Sequence, residues 1–283
     1  MASFKDFLKE KLNGKIPEIH QELLPKGYQL LGPICILNLK PELHKYKKII
    51  GEVSLNLIPS AKTICLKTDI IKGQFREPSI EWLAGEKNFI VKHHEFDCVF
   101  EFDISKVMWS KGNMNERQRL PSLVKKNEVV IDFFAGLGYW VIPIAKHCST
   151  KKIIAFELNP VAFKFLQKNI ILNLLSDKIE ALNGDCVELA KKLSEKGVTA
   201  DRIILGLIPS PFFAFPSALS LSKKGTIIHF EGIAPTTNPD ELFDEVRKLA
   251  IEQKRTLKLI KANEVKSFSP HKSHFTLDIQ VLN

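Results

Sequence analysis

From residue 127 to the C-terminus, short apolar runs alternate with amphipathic segments, and this alternation confines the chain to one class of architecture. Strand-like runs fall at 128–134, 152–157, 179–183, 202–207, 225–230, 256–261 and 273–282. Helical periodicity fills the gaps at 139–147, 160–174, 186–196, 212–222 and 239–253. Strands joined through helices run parallel, so the pattern predicts an α/β unit whose mainly parallel sheet is covered on both faces. No helix separates the last two runs, which predicts an antiparallel strand at the sheet edge.

Residues 1–105 read differently. An amphipathic helix carrying Phe4, Phe7, Leu8 and Leu12 opens the chain, and a second helix is expected before residue 24. Strand-like runs follow at 28–38, 52–58 and 63–70, and alternating runs at 88–94 and 97–103 flank a turn as in a hairpin. We expect a small α+β domain at 1–105, a polar linker at 106–126 and the α/β domain at 127–283.

With 283 residues, 45% of them hydrophobic, the chain has material for two cores. No apolar run approaches the roughly 20 residues of a membrane span, and the N-terminal MASFKDFLKEKL is charged throughout. A cytoplasmic protein without a membrane partner is expected. The net charge of +9 favours a polyanionic partner. Three of only six arginines, Arg76, Arg117 and Arg119, fall in two short segments. The five cysteines are odd in number and form no C-x-x-C, so neither disulfides nor a zinc ribbon is expected. His93-His94-Glu95 reads as part of an exposed strand rather than as a metal site.

The strongest local signal is Val129-Val130-Ile131-Asp132-Phe133-Phe134-Ala135-Gly136-Leu137-Gly138, a buried strand entering a Gly-rich turn that opens a helix. Glycines there let a ligand approach the backbone at the carboxyl end of the strand. A dinucleotide fingerprint would need a third glycine where Val141 stands, so a cofactor without a pyrophosphate, such as S-adenosylmethionine, fits better. Glu157 ends the second strand, placed to accept from both ribose hydroxyls. Asp185 ends the third, placed for the adenine amino group, with the Cys186 N–H beside it. Either carboxylate alone reads better as a helix cap, and it is the three matched strand ends in order that favour the cofactor.

The runs IDFFAGLGYWVIPIAK, AFELNP and LNGDC, with GQFREPSIEWLAGE and FDISKVMWSKGNMNERQRL upstream and VKSFSPHKSHFTLDI downstream, resemble the tRNA guanosine-N1 methyltransferases and wybutosine-synthesising protein 2. The resemblance covers about residues 50–283 and implies a Rossmann-like class I methyltransferase domain acting on tRNA. Its methyltransferase members carry an Asn-Leu-Pro or Asn-Pro-Pro motif at the fourth strand, where this chain has Gly206-Leu207-Ile208-Pro209-Ser210. The resemblance is therefore to the wybutosine branch. It implies transfer of the 3-amino-3-carboxypropyl group of S-adenosylmethionine to C7 of 4-demethylwyosine in phenylalanine tRNA, releasing 5′-methylthioadenosine. Guanosine-N1 methylation next to the anticodon is the alternative.

The same resemblance assigns cofactor binding to Ser110, Arg117, Phe134, Gly136, Gly138, Glu157, Asp185, Cys186 and Leu207. It assigns substrate binding to Arg76, Lys111, Asn113 and Pro209, and a base to Glu116, which reads equally as a salt-bridge partner. Arg117 is expected to neutralise the cofactor's carboxylate, and Arg119 to be exposed or on a phosphate. Trp109, Phe133, Phe134, Tyr139 and Trp140 are candidates to stack on a base, Phe133 and Phe134 being better suited to the core.

Overall fold

The computed structural model describes residues 2–68, 78–109 and 111–283, with the side chain of Lys111 left aside. The residues group into two compact units, Met1–His94 with Phe100–Trp109, and Glu95–Val99 with Ser110–Asn283. The tip of a hairpin is thus grouped with the second unit.

In the first unit, α1 (Phe4–Leu12) starts on a capping box in which Ser3 and Asp6 satisfy each other's backbone N–H. It is followed by α2 (Glu18–Gln21), β1 (Gln29–Leu31) and β2 (Ile34–Leu37). Next come α3 (Lys47–Leu57), β3 (Thr63–Lys67), β4 (Ile80–Gly85) and the paired β5 (Ile90–Glu95) and β6 (Cys98–Asp103). Strands β1 to β4 form one sheet in that order, with β2 and β3 parallel and the other pairs antiparallel. Leu8, Leu12, Leu37, Ile50, Ile64 and Leu83 lie in its core.

The expected strand at 52–58 is instead the end of helix α3. Val53, Leu55 and Leu57 alternate like a strand, but the buried residues are Ile50, Gly51 and Ser54, one helical turn apart. Gly51 packs on Leu83 so closely that a Cβ there would lie 2.6 Å from its Cβ. The Ser54 hydroxyl donates back to the Ile50 carbonyl at 2.7 Å, which removes the cost of burying it. Strand β4, not anticipated, supplies the surface on which that helix rests.

The second unit contains α4 (Met114–Leu123), β7 (Val129–Asp132), α5 (Val141–His147), β8 (Lys152–Glu157), α6 (Pro160–Leu172) and β9 (Ile179–Asn183). It continues with α7 (Cys186–Glu195), β10 (Ala200–Leu205), α8 (Phe215–Ser220), β11 (Ser222–Pro235), α9 (Asp240–Glu252), β12 (Leu257–Ser269) and β13 (Lys272–Val281). The seven strands lie in the order β12-β13-β11-β10-β7-β8-β9. Strands β7 to β11 run parallel, and β13 is antiparallel to both neighbours. The antiparallel strand is thus one place in from the edge, and β12 closes the sheet. The strand order reverses between β7 and β10, and the crevice above such a reversal is where open α/β sheets bind ligands.

Segment 106–126, expected to be a polar linker, contains α4, whose polar residues face inward. Glu116 is buried and the Arg119 side chain is 18% exposed. Arg119 donates to Glu116 through Nε and Nη2 at 2.9 and 2.8 Å, and to Asp278 of β13 through Nη1 at 2.7 Å. Asp278 accepts from Nδ1 of His229 on β11 at 2.7 Å, whose Nε2 meets Nη1 of Arg202 on β10 at 2.6 Å. Arg202 pairs with Glu128 through Nε and Nη2 and also donates to the Leu123 carbonyl at the end of α4.

An arginine only donates, so Nε2 of His229 must accept and the ring is neutral. Burial holds its pKa below the ordinary value, against the opposing pull of Asp278. The unfolded chain takes up this proton near pH 6.5 while the folded chain resists it, so stability is lost as pH falls through that value. The loss for this one group reaches about 1.4 kcal/mol per pH unit. Urea unfolding between about pH 7 and 5 should show the wild type losing stability more steeply than His229→Gln. Parallel slopes would place the acid sensitivity elsewhere.

Candidate functional site

The carboxyl ends of β7, β8, β9 and β10 gather the groups expected to hold a cofactor. β7 ends on Asp132, fully buried, whose Oδ1 accepts the Phe134 N–H at 3.0 Å while Oδ2 has no partner among the described residues. Burial pushes its pKa up to about 8, with Glu157 and Glu231 adding to the rise against the Phe134 N–H. The turn that follows needs glycine at two places: Gly136 has φ +57° and Gly138 φ +97°. A Cβ on Gly138 would also lie 2.5 Å from Cδ1 of Ile142.

Glu157, half-buried at the end of β8, ties the turn to its neighbour. One oxygen accepts the Gly136 N–H and the other the Asn159 N–H, both at 2.7 Å. Burial raises its pKa and these N–H groups oppose the rise. A carboxylate has about four acceptor positions, so these backbone bonds leave capacity for a ligand's hydroxyl. Asn159 caps α6, with Pro160 at its first position.

Asp185, exposed after β9, caps α7 through Oδ1 alone, accepting from Val187 at 2.8 Å, which leaves Oδ2 available. Both readings of Asp185 are therefore compatible, a cap and a ligand acceptor. Cys186 follows as the first residue of α7. Its thiol is buried and raised to about 12, so it offers a backbone N–H rather than a nucleophile.

At the end of β10, Gly206 lies against Trp140, and a Cβ there would come within 2.7 Å of the indole Nε1. Leu207 is half-buried, and Pro209, which follows a cis peptide bond, is exposed. Phe134 is half-buried and meets Phe213 edge-on at 6.0 Å; Phe213, 59% exposed, escaped the sequence reading.

The residues expected from the 106–126 segment are placed less simply. Arg76 and Ser110 lie outside the described residues, as does the side chain of Lys111. Asn113 is half-buried, with Nδ2 3.4 Å from Glu231. Arg117 is fully buried and paired with Glu95 through Nε at 2.6 Å and Nη2 at 3.0 Å, 5.8 Å from the Tyr139 ring of the Gly-rich turn. It lies near the turn, and Glu95 matches its charge.

Glu116, expected as a base, accepts from Arg119 and from Nδ2 of Asn263. A carboxylate so occupied serves the docking of α4. Arg119, expected at the surface, is its partner. Trp109 is buried, stacked on Phe102 at 5.1 Å and close to His93, so it belongs to the core of its own unit. Phe133 is core as well, at 1% exposure.

Comparison with known proteins agrees with this geometry. Residues 91–260 match the TRM5/TYW2 methyltransferase domain, and residues 8–88 match the TYW2 N-terminal domain. The chain belongs to the TRM5/TYW2 family. It is 34% identical to the tRNA(Phe) (4-demethylwyosine(37)-C(7)) aminocarboxypropyltransferase of Pyrococcus horikoshii, over 98% of this chain and 97% of that one. It is 32% identical to the tRNA (guanine(37)-N(1))-methyltransferase Trm5b of Methanocaldococcus jannaschii, over 99% of this chain and 77% of that one. Among solved structures, Pyrococcus horikoshii TYW2 in complex with MeSAdo superposes with a TM-score of 0.81 at 32% identity, covering 99% of each chain. The fold is accordingly the Rossmann-like methyltransferase architecture.

Assigning Glu116 to packing has a measurable consequence. Glu116→Gln turns an amide N–H₂ toward a guanidinium that has lost half its counter-charge. It should lower unfolding free energy by about 2–4 kcal/mol while leaving cofactor affinity within about twofold. A stability equal to wild type, measured by urea denaturation, would remove the carboxylate from the docking network.

Proposed function

We propose that this protein transfers the 3-amino-3-carboxypropyl group of S-adenosylmethionine to C7 of 4-demethylwyosine in tRNA, with phenylalanine tRNA as the substrate. The observation that carries this reading over guanosine-N1 methylation is Gly206 against Trp140. In the methyltransferase pattern an asparagine amide stands at this position, and here the space of its Cβ is taken by the indole. The match of residues 8–88 to the TYW2 N-terminal domain supports the same branch.

The strand ends suit this cofactor. S-adenosylmethionine carries a sulfonium and an α-ammonium. In a chain of net charge +9, the carboxylates of Asp132, Glu157 and Asp185 collect at one edge of the sheet. Burial holds the Asp132 pKa high while Oδ2 has no partner among the described residues, so a cation beside it would bring that pKa down and favour the carboxylate. Glu157 would take the ribose hydroxyls, Asp185 and the Cys186 N–H the adenine edge, and Phe134, Leu207 and the turn at Gly136 and Gly138 the walls. Arg117 would act by fixing the turn beside Tyr139.

Bound there, the cofactor supplies an electrophilic carbon on sulfur, and which of the three carbons reacts depends on which one faces the acceptor in line. The exposed ring of Phe213 beside Phe134 offers a surface on which a flipped base can stack. The basic N-terminal unit, the 106–126 segment with Lys111 and Asn113, and the exposed Pro209 are proposed to meet the tRNA.

The test is the small product. Incubation with S-adenosylmethionine and tRNA bearing 4-demethylwyosine should release 5′-methylthioadenosine, whereas tRNA bearing plain guanosine should yield little S-adenosylhomocysteine. Efficient methylation of guanosine with no aminocarboxypropyl product would replace this reading by the alternative. Glu157→Ala should weaken S-adenosylmethionine binding by about 2–3 kcal/mol, tens of fold in calorimetry. An unchanged Kd would mean that the cofactor sits elsewhere. Gly206→Asn should not restore methylation and should cut transferase activity by about a hundredfold, because it displaces Trp140 and with it the turn.

A further inference from the structure

The face of the sheet carrying the Arg119 network holds a second group of buried polar side chains. On β13, His274, Thr276 and Asp278 alternate onto one face, while Phe275, Leu277 and Ile279 enter the apolar core on the other. On β11, His229 is opposite Asp278 and Glu231 is opposite Thr276. Asp278 and His229 are fully engaged. One step nearer the carboxyl end of β11 the bonds stop.

Glu231, Thr276 and His274 are 2%, 1% and 1% exposed. The Thr276 hydroxyl and both ring nitrogens of His274 lack a hydrogen-bond partner among the described residues, as does Oδ1 of Asn113. Glu231 accepts from Nδ2 of Asn113 at 3.4 Å through one oxygen, and its other oxygen stands 3.4 Å from Nε2 of His274. A buried polar atom without a partner is destabilising, and such atoms are otherwise nearly always paired. Several together in one place mark a polar site that a ligand or ordered water can complete.

The position and chemistry of the group narrow that ligand. β11 lies two strands from β7, about 10 Å away, so the group stands beyond Gly206 from the strand ends assigned to the cofactor. Glu231 is nonetheless near enough to act on Asp132 electrostatically. The second reactant belongs at that separation. The Glu231 carboxylate and Oδ1 of Asn113 accept, while an imidazole N–H and a hydroxyl donate. A partner that only donates, such as an ammonium, would leave the imidazole N–H unpaired. A heteroaromatic edge with ring N–H and acceptor atoms side by side satisfies all of them.

We infer that Asn113, Glu231, Thr276 and His274 form the receptor for the polar edge of the acceptor base, with Glu231 orienting His274. This rests on the transferase reading above. Thr276→Val keeps the shape and removes one orphan, so it should melt at or above the wild-type temperature and bind S-adenosylmethionine with a Kd within about twofold of wild type. It should lose about tenfold or more in kcat/KM for precursor tRNA, and Thr276→Ser should retain most of the activity. Glu231→Gln should show the same split between cofactor and tRNA. Wild-type kcat/KM in both Thr276→Val and Glu231→Gln would make the cluster a purely internal feature and overturn the proposal. Weakened cofactor binding with unchanged tRNA kinetics would also overturn it, by giving the cluster to the cofactor tail. If the wild type releases S-adenosylhomocysteine instead of 5′-methylthioadenosine, the transferase reading fails, and the receptor is then judged on that product.

Discussion

Arg119 holds two carboxylates that belong to different elements, Glu116 of α4 and Asp278 of β13, and the layout of the reactive edge depends on that grip. Helix α4 has too little apolar surface on its inner face to dock by burial alone, so it docks by charge. Behind Arg119 the bonds continue through His229 and Arg202 to Glu128, crossing from β13 through β11 and β10 to the residue before β7. Buried pairs of this kind add little net stability compared with apolar packing, but they tolerate a single register. That register places Asn113, just ahead of α4, beside Glu231, and Arg117 beside Tyr139.

The electrostatics work at two ranges. Over long distance the chain is basic, and an excess of lysine draws a polyanion toward it from any direction. At the strand ends the sign reverses, with Glu157, Asp185 and Glu231 on nearby strands of one sheet, and a cation arriving there lowers the raised pKa of Asp132 so that it joins them. A phosphate backbone is attracted to the protein as a whole but repelled from this edge, whereas a cationic sulfonium is favoured there. Division of labour between the two reactants is thus built into where the carboxylates lie.

The sequence made the second unit legible because its signals are local. Gly136 and Gly138 lie in the turn that follows β7, and Glu157 and Asp185 stand at the carboxyl ends of β8 and β9, strands whose period and length are plain in the sequence. Helix α4 was not legible, because a helix that turns Glu116 and Arg117 inward defeats the rule that polar residues face water. Helix α3 was misread because Val53, Leu55 and Leu57 imitate strand alternation, while Gly51 and Ser54, the residues that make its contact face, are poor helix formers. Glu231, Thr276 and His274 lie within long strands, where nothing in the spacing separates a buried polar residue from an exposed one. Only the pairing of β11 with β13 brings them together.

The contact between Gly206 and Trp140 limits the routes by which this chain and its methylating relatives can have diverged. An asparagine at 206 meets the indole before its amide can reach any substrate, so that substitution is disfavoured while Trp140 keeps its place. A smaller or shifted aromatic at 140 opens the space that an asparagine needs, at the cost of a gap beside the turn. Two residues in contact are coupled rather than additive. A change at either position is therefore felt at the other, and the residue tolerated at 206 depends on what stands at 140.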